Sequence, residues 1–349
     1  MLVTQALLGL LFFGLSATVE LGEFRSKFTE KRGLACGAGC QFVAVPTLGF
    51  LSTRLFDLPP NYGVTLLVLC SSPGGSYSNW WCSMFNADLA LSVAMTATST
   101  LLSVVMLPLN TVLYVHLAYG RDVELDWSSL LLSLFNTAGS ISLGLYAGSK
   151  APRRRGAFNV VGQLAGVLLM IISAAFAQKK KPIWDRDASF YGATCLPFFF
   201  SALIAMVVAS VLKLRKPEQV AVVIETCYQN IAFATTVAIS TFASDEASLA
   251  AGVPVFYGLL EVIFIAAWCV ATWQMGWTYA SPSERLTKVL MSSYQPGSTS
   301  GVERDPATAE QAGAQPGSLS GVELAANPLD GSGGGTRKSG DRLSESLIS

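Results

Sequence analysis

Val64-Thr-Leu-Leu-Val-Leu-Cys70 reads as an apolar helix that stops at Ser71-Ser-Pro-Gly-Gly75 and resumes, after Ser76, Tyr77, Ser78 and Asn79, at Trp80-Trp81. Pro73 has no backbone donor and clashes with the preceding turn, while Gly74 and Gly75 favour non-helical backbone. With fewer than ten apolar residues on either side, neither piece alone crosses a hydrocarbon layer of about 30 Å. A break at membrane depth leaves N–H and C=O groups unpaired, so it survives only against protein or a wet cavity. One discontinuous span is expected here, in preference to a loop between two short helices.

The rest of the chain has the composition this requires. Of 349 residues, 51% are hydrophobic and 13% charged, against about a quarter charged in soluble domains. Nine apolar segments are read: Leu2–Val19, Gly33–Phe56, Asn61–Met84, Ala87–Val115, Trp127–Ala147, Ala157–Ala177, Phe190–Leu212, Glu218–Phe242 and Ser248–Trp277. The first lacks the basic n-region and small-residue cleavage site of a signal peptide, so it is read as a membrane helix. With 23 basic and 23 acidic residues, no polybasic field points to nucleic acid. None of the seven cysteines forms a CxxC pair, and His116 is the only histidine, which leaves no metal cluster or catalytic triad to assemble. With no phosphate-binding glycine loop or nucleophile–base pair either, an enzyme is not expected.

Lysine and arginine number thirteen in the odd-to-even loops and the start of the tail, and six on the opposite side. This bias predicts the N-terminus outside and the C-terminus in the cytoplasm; the Lys179–Lys181 run falls on the wrong side of that scheme. From Ser281 the composition turns to Gly, Ser, Pro, Ala and Glu, with QPGSTSGVE at 295–303 repeated as QPGSLSGVE at 315–323. Such a segment buries too little apolar area to offset its ordering entropy. Residues 281–349 are therefore expected to be a disordered cytoplasmic tail, either inert or a site for tail-binding proteins.

A second interruption lies in the eighth segment, Val222-Val-Ile-Glu225-Thr-Cys-Tyr-Gln229-Asn230-Ile-Ala-Phe233. An ionised Glu at a helix centre costs about 2.5–3.5 kcal/mol on insertion scales and demands a partner. No basic residue lies inside any segment except Arg54 at an end; a bound cation is the economical partner, and a neutral Glu bonded to a neighbouring helix is the alternative. If a helix absent before the first is counted, each half holds five helices with the broken one fourth, and an odd number inverts the second half in the bilayer. Paired broken helices meeting at the midplane mark secondary transporters. Half-helix N-termini suit an anion, and unwound carbonyls with side-chain oxygens suit a hard cation. Ser92 and Thr96 share one helical face, although back-bonding to their own helix would also account for them. Gln41 is an amide in an otherwise apolar run.

These residues carry a resemblance. Cys70-Ser-Ser-Pro-Gly-Gly75 followed by Ser78-Asn79 resembles the CCSPGG…SN pattern of the bile acid:sodium symporter family. Asp88–Thr100 is similar to that family's GD-x-x-LS-x-x-MT-x-x-ST run, Gln41–Phe50 to QF-x-x-MPL-x-GF, and Glu225–Asn230 to ETG-x-QN. The resemblance implies an all-α polytopic fold of inverted five-helix repeats, the first lacking one helix. It implies a panel (segments 1, 5 and 6) and a core (segments 2, 3, 4, 7, 8 and 9) with two crossing discontinuous helices, all within residues 1–280. It also implies two coupling Na+ ions. One would be held by Ser78, Asn79, Ser92, Thr96 and Glu225, the other by Gln41, Glu225 and Gln229 with backbone oxygens near Thr226 and Tyr228. The implied function is sodium-coupled symport of an organic anion (a bile acid, steroid conjugate or smaller carboxylate) across the plasma membrane by alternating access. Asn230, Ser76 and Glu261 would face the substrate.

Two positions depart from the pattern. Cys227 replaces the glycine after Glu-Thr, and Glu261 stands where relatives carry Asn or Gln. A second buried carboxylate could repel an anion, bind a proton, favour a cationic group, or bond a neighbouring hydroxyl. Proton coupling on the same fold, and a non-transporting receptor or scaffold, are therefore carried as alternatives.

Overall fold

A computed structural model describes residues 2–17, 31–75, 77–120, 127–177, 181–294 and 302–303. The helices are α1 (Leu2–Ala17), α2 (Lys31–Leu55), α3 (Pro60–Ser71), α4 (Ser78–Met84), α5 (Leu89–Tyr119), α6 (Trp127–Lys150) and α7 (Arg155–Ala177). They continue as α8 (Ala188–Val211), α9 (Lys216–Cys227), α10 (Ile231–Thr241), α11 (Ser244–Ala250), α12 (Gly252–Gln274) and α13 (Leu286–Met291). The only strand pairing among the described residues joins Ser292–Ser293 to Val302–Glu303. Each of the nine expected segments has its helix, and the two interrupted ones are the pairs α3–α4 and α9–α10. Among the described residues four stretches, 31–55, 89–119, 188–211 and 245–274, are by themselves long and apolar enough to cross a membrane. The fold is that of an all-α membrane protein.

Loop contacts sort the turns into two groups. Arg54 bonds the Ala118 carbonyl at 3.0 Å, Tyr119 bonds that of Leu58 at 2.9 Å, and Arg186 reaches the Tyr62 hydroxyl at 2.8 Å. These tie together the α2–α3, α5–α6 and α7–α8 turns. In the other group, Arg215 pairs with Asp88 at 3.2 Å and Glu218 at 2.6 Å, and the Tyr279 hydroxyl donates to Asp88 at 2.8 Å. These join the α4–α5 turn, the α8–α9 turn and the chain after α12. Burial, and then the Asp88 charge, push the Tyr279 phenol far above its ordinary range, which keeps it a donor.

Two prolines inside helices show how missing donors are replaced. Pro46 cannot donate to Phe42, four residues back. The helix widens into a π turn over Cys40–Ala44, with Val45 N–H bonding Cys40 O, and the Asn110 amide donates to Phe42 O at 2.9 Å from α5. Pro197 likewise leaves the Ala193 carbonyl free, and Ser52 of α2 donates to it at 2.7 Å. Each repair ties two helices together.

The tail does not leave the fold at Ser281. Trp273 Nε1 donates to Ser281 O at 3.0 Å, Asn86 donates to Val289 O at 3.0 Å, and Tyr294 N–H donates back to Asn86 Oδ1 at 3.1 Å. Val289 is fully buried and Tyr294 nearly so. Residues 281–294 thus correct the expectation of disorder from 281: their few apolar side chains find a ready pocket, where composition averaged over the whole tail dilutes them. Apart from 302–303, residues beyond 294 lie outside those described.

Candidate functional site

The two interruptions meet. Gly74 and Gln229 form an antiparallel bridge, and Gly75 N–H donates to Tyr228 O at 2.9 Å. Gly75 is required by this approach: a Cβ there would stand 2.8 Å from Tyr228 Cε1 and 3.0 Å from Gln229 O. Opening the second break exposes N–H groups that need acceptors. Gln229 N–H donates to Glu261 Oε1 of α12 at 2.6 Å, and Asn230 N–H donates to Ser72 Oγ at 3.1 Å. Asn230 Oδ1 caps α10 by accepting from Phe233 N–H at 3.0 Å.

Beside this crossing, Glu225 is 3% exposed. Its Oε1 accepts from the Ser92 hydroxyl, and its Oε2 from Thr96 Oγ1 at 2.9 Å. The same two hydroxyls lie against Asn79 Oδ1, at 2.7 Å from Ser92 and 3.4 Å from Thr96. Ser78, fully buried, lies beside this carboxylate and donates to Gly75 O at 3.0 Å. The five residues Ser78, Asn79, Ser92, Thr96 and Glu225 therefore form one cluster, drawn from α4, α5 and α9. No ion pair among the described residues includes Glu225 or Glu261.

The second group lies against the first. Gln41, presented by the π turn, donates to Gln229 Oε1 and to Ser72 O, both at 2.8 Å. Gln229 Nε2 donates to Thr226 O at 2.7 Å, and Thr226 Oγ1 is buried without a partner. Tyr228 O is occupied by the Gly75 N–H. The donor set of both groups is carboxylate, amide, hydroxyl and backbone oxygen, which is the chemistry of a hard cation.

A half-open cavity lies on the far side of the crossing. The crossing lines it with Gly75, Tyr77, Tyr228, Gln229 and Asn230, and the opposite wall carries Leu11 of α1 with Gln163 and Gly166 of α7. Of the three expected substrate residues, Asn230 lies here and Ser76 lies outside the described residues. Glu261 is fully buried and off this lining, with Oε1 on the crossing backbone and Oε2 unpartnered. The structure places Glu261 behind the break, where α12 passes and the exposed Gln229 N–H holds its carboxylate. Gln163 was missed. An amide in the apolar run Val160-Val-Gly-Gln-Leu-Ala165 is the signal that could have found it.

Residues 5–186 match the model of the Sodium Bile acid symporter family. The human "Ileal sodium/bile acid cotransporter" is 25% identical over 266 residues, covering 76% of each chain. The human "Sodium-dependent organic anion transporter" is 26% identical over 267 residues, covering 75% of this chain and 70% of its own. The Cricetulus griseus "Ileal sodium/bile acid cotransporter" is 27% identical over 275 residues, 76% of each chain. These relatives are transporters, not enzymes. With the family match covering more than half of the sequence, and the paired breaks, the buried carboxylate and its oxygen ring in place, the chain belongs to the sodium bile acid symporter family.

Proposed function

We propose that the protein is a sodium-coupled symporter of an organic anion working by alternating access. The observation that carries this reading is Glu225. It is a buried carboxylate ringed by Ser78, Asn79, Ser92 and Thr96, with no basic residue among the described ones paired to it. A sodium ion supplies the positive charge that this set lacks. Two ions are proposed, the second at Gln41, Glu225, Gln229 and the Thr226 and Tyr228 backbone. Because Gln229 lies in the second group and also lines the solute cavity, cation binding and solute binding act on the same few residues. That is the coupling element. A ligand that favours one arrangement of the crossing shifts the population toward it.

The organic anion takes the cavity between the crossing and the α1–α7 wall, with Asn230, Gln163 and the crossing amides as its polar contacts. The packing of α1 against both α6 and α7 supports these three as a panel against which the remaining helices move. The inverted relation of the two halves is part of the same proposal. So are the plasma membrane, the outside N-terminus and the cytoplasmic end of α12. The test is uptake of a panel of anionic sterols, sulfated steroids and small carboxylates, in sodium and in choline. Sodium-dependent uptake that vanishes in Glu225→Gln is expected; equal uptake in choline overturns the proposal. Glu261 Oε2, buried without a partner, favours a second reading, proton coupling on the same fold. Uptake driven by a pH gradient in the absence of sodium separates the two.

A further inference from the structure

We propose that the coupling cations reach Glu225 through a cleft between α2 and α5, a route separate from the cavity that takes the organic solute. The proposal rests on the reading of Glu225 as a cation ligand and adds the path by which the ion arrives.

A second, narrow cleft lies between these helices, and Glu225 is part of its wall. Gly37, Ala38 and Gln41 line it from α2, and Met95, Thr98 and Ser99 from α5. Glu225 is absent from the lining of the solute cavity, while Asn79, Ser92 and Thr96 line neither cavity and stand behind Glu225. Between the two cavities stands the crossing, closed by the Gly75–Tyr228 backbone bond at 2.9 Å and by Gln41 on Gln229 at 2.8 Å. An ion entering from the solute side would have to part these bonds; one entering between α2 and α5 meets the carboxylate first.

The chemistry of the cleft suits a small cation. Its mouth is half-buried at Ala38 and Thr98, and its floor is buried at Gln41 and Ser99. The hydroxyls of Thr98 and Ser99 donate back to Ala94 O at 2.7 Å and Thr96 O at 3.0 Å, so their oxygen lone pairs remain to accept water or an ion. The narrow point is Met95 against Gly37. A Cβ at Gly37 would lie 3.1 Å from Met95 Sδ and closer still to its terminal methyl. Met is an unbranched, readily rearranged side chain, so this constriction opens without moving a helix. The only ionisable side chain lining this cleft is the Glu225 carboxylate, which favours a cation and disfavours an anion.

The test uses the purified full-length protein carrying Thr98→Cys or, in case that variant does not fold, Ala38→Cys. Gln163→Cys serves as the solute-side control. Six of the seven native cysteines are buried and Cys195 is half-buried, so the parent treated with the same reagent is the reference. Each protein is modified with a cationic methanethiosulfonate (MTSET), then jumped from choline to sodium while tryptophan fluorescence is followed in a stopped-flow instrument. Trp80 and Trp81, adjacent to Asn79, are the reporters. Modification at 98 or 38 is expected to slow the sodium response at least tenfold, leaving its final amplitude in place at high sodium, while modification at 163 changes the rate less than twofold. A normal rate after modification at 98 and 38, or slowing at 163 instead, overturns the separate route while the cation site stands. A parent with no sodium response, or one that persists in Glu225→Gln, overturns the cation reading and the route with it.

Discussion

The two interrupted helices reach the same crossing by different means. In α3–α4 the break is written into the covalent chain: Pro73 ends the hydrogen-bond ladder and two glycines follow. The second break, Cys227-Tyr-Gln-Asn230, contains neither proline nor glycine, and its one local device is the Asn230 cap on Phe233 N–H. It is held open by acceptors from elsewhere, Glu261 on Gln229 N–H and Ser72 on Asn230 N–H. One break is intrinsic; the other is imposed by tertiary contacts. An intrinsic break persists through any motion, whereas an imposed one is open to adjustment by whatever binds beside it, and the second break carries Gln229, shared by the proposed cation group and the solute cavity.

Substitutions can break or sharpen this contrast. The largest effect is expected at the point of contact. Gly75→Ala drives a methyl against Tyr228 and Gln229 O, and a displacement near 1 Å is worth on the order of 100-fold in a positioned site. Gly74→Ala meets nothing nearer than 3.5 Å and should keep most of the activity; sodium-dependent uptake compares the two. Next comes Glu261→Leu, which strips the acceptor from a buried N–H at a cost of about 1–3 kcal/mol. Glu261→Gln retains an acceptor oxygen and should recover most of that loss in thermal unfolding. A leucine variant as stable as the parent would show that the second break holds itself open. Ser72→Ala removes the weaker tie to Asn230, about 1 kcal/mol by the same assay. Smallest is Pro73→Ala, about 0.5 kcal/mol, since Gly74 and Gly75 still disfavour helix. If Pro73→Ala proves costlier than Glu261→Leu, the contrast is reversed.

The same contrast explains what the sequence could reveal. Features with local causes were legible: the apolar segments, the Pro-Gly-Gly break, the shared face of Ser92 and Thr96, and Glu225 as a carboxylate in need of company. Features whose cause lies across the fold were not. The π turn at Cys40–Ala44 follows from Pro46, but its repair by Asn110 requires knowing that α5 passes there. Glu261 was visible as an anomaly, yet its role as acceptor for Gln229 N–H depends on where α12 crosses. The placement of Val289 and Tyr294 needed a pocket prepared by the turn at Asn86. Gln163 gave only a faint signal, one amide in a hydrophobic run, until the wall facing it was in view.

The Asn86 turn also sets an order of events during synthesis. Its side chain is held by Val289 and Tyr294, partners 203 and 208 positions further along the chain. While the ribosome is still making every helix from α5 to α12, the amide of Asn86 has only its own neighbourhood to turn to. This face of the molecule is consequently sealed only after α12 has been made, and a chain that stops at the last spanning helix would insert with that seam left unstitched.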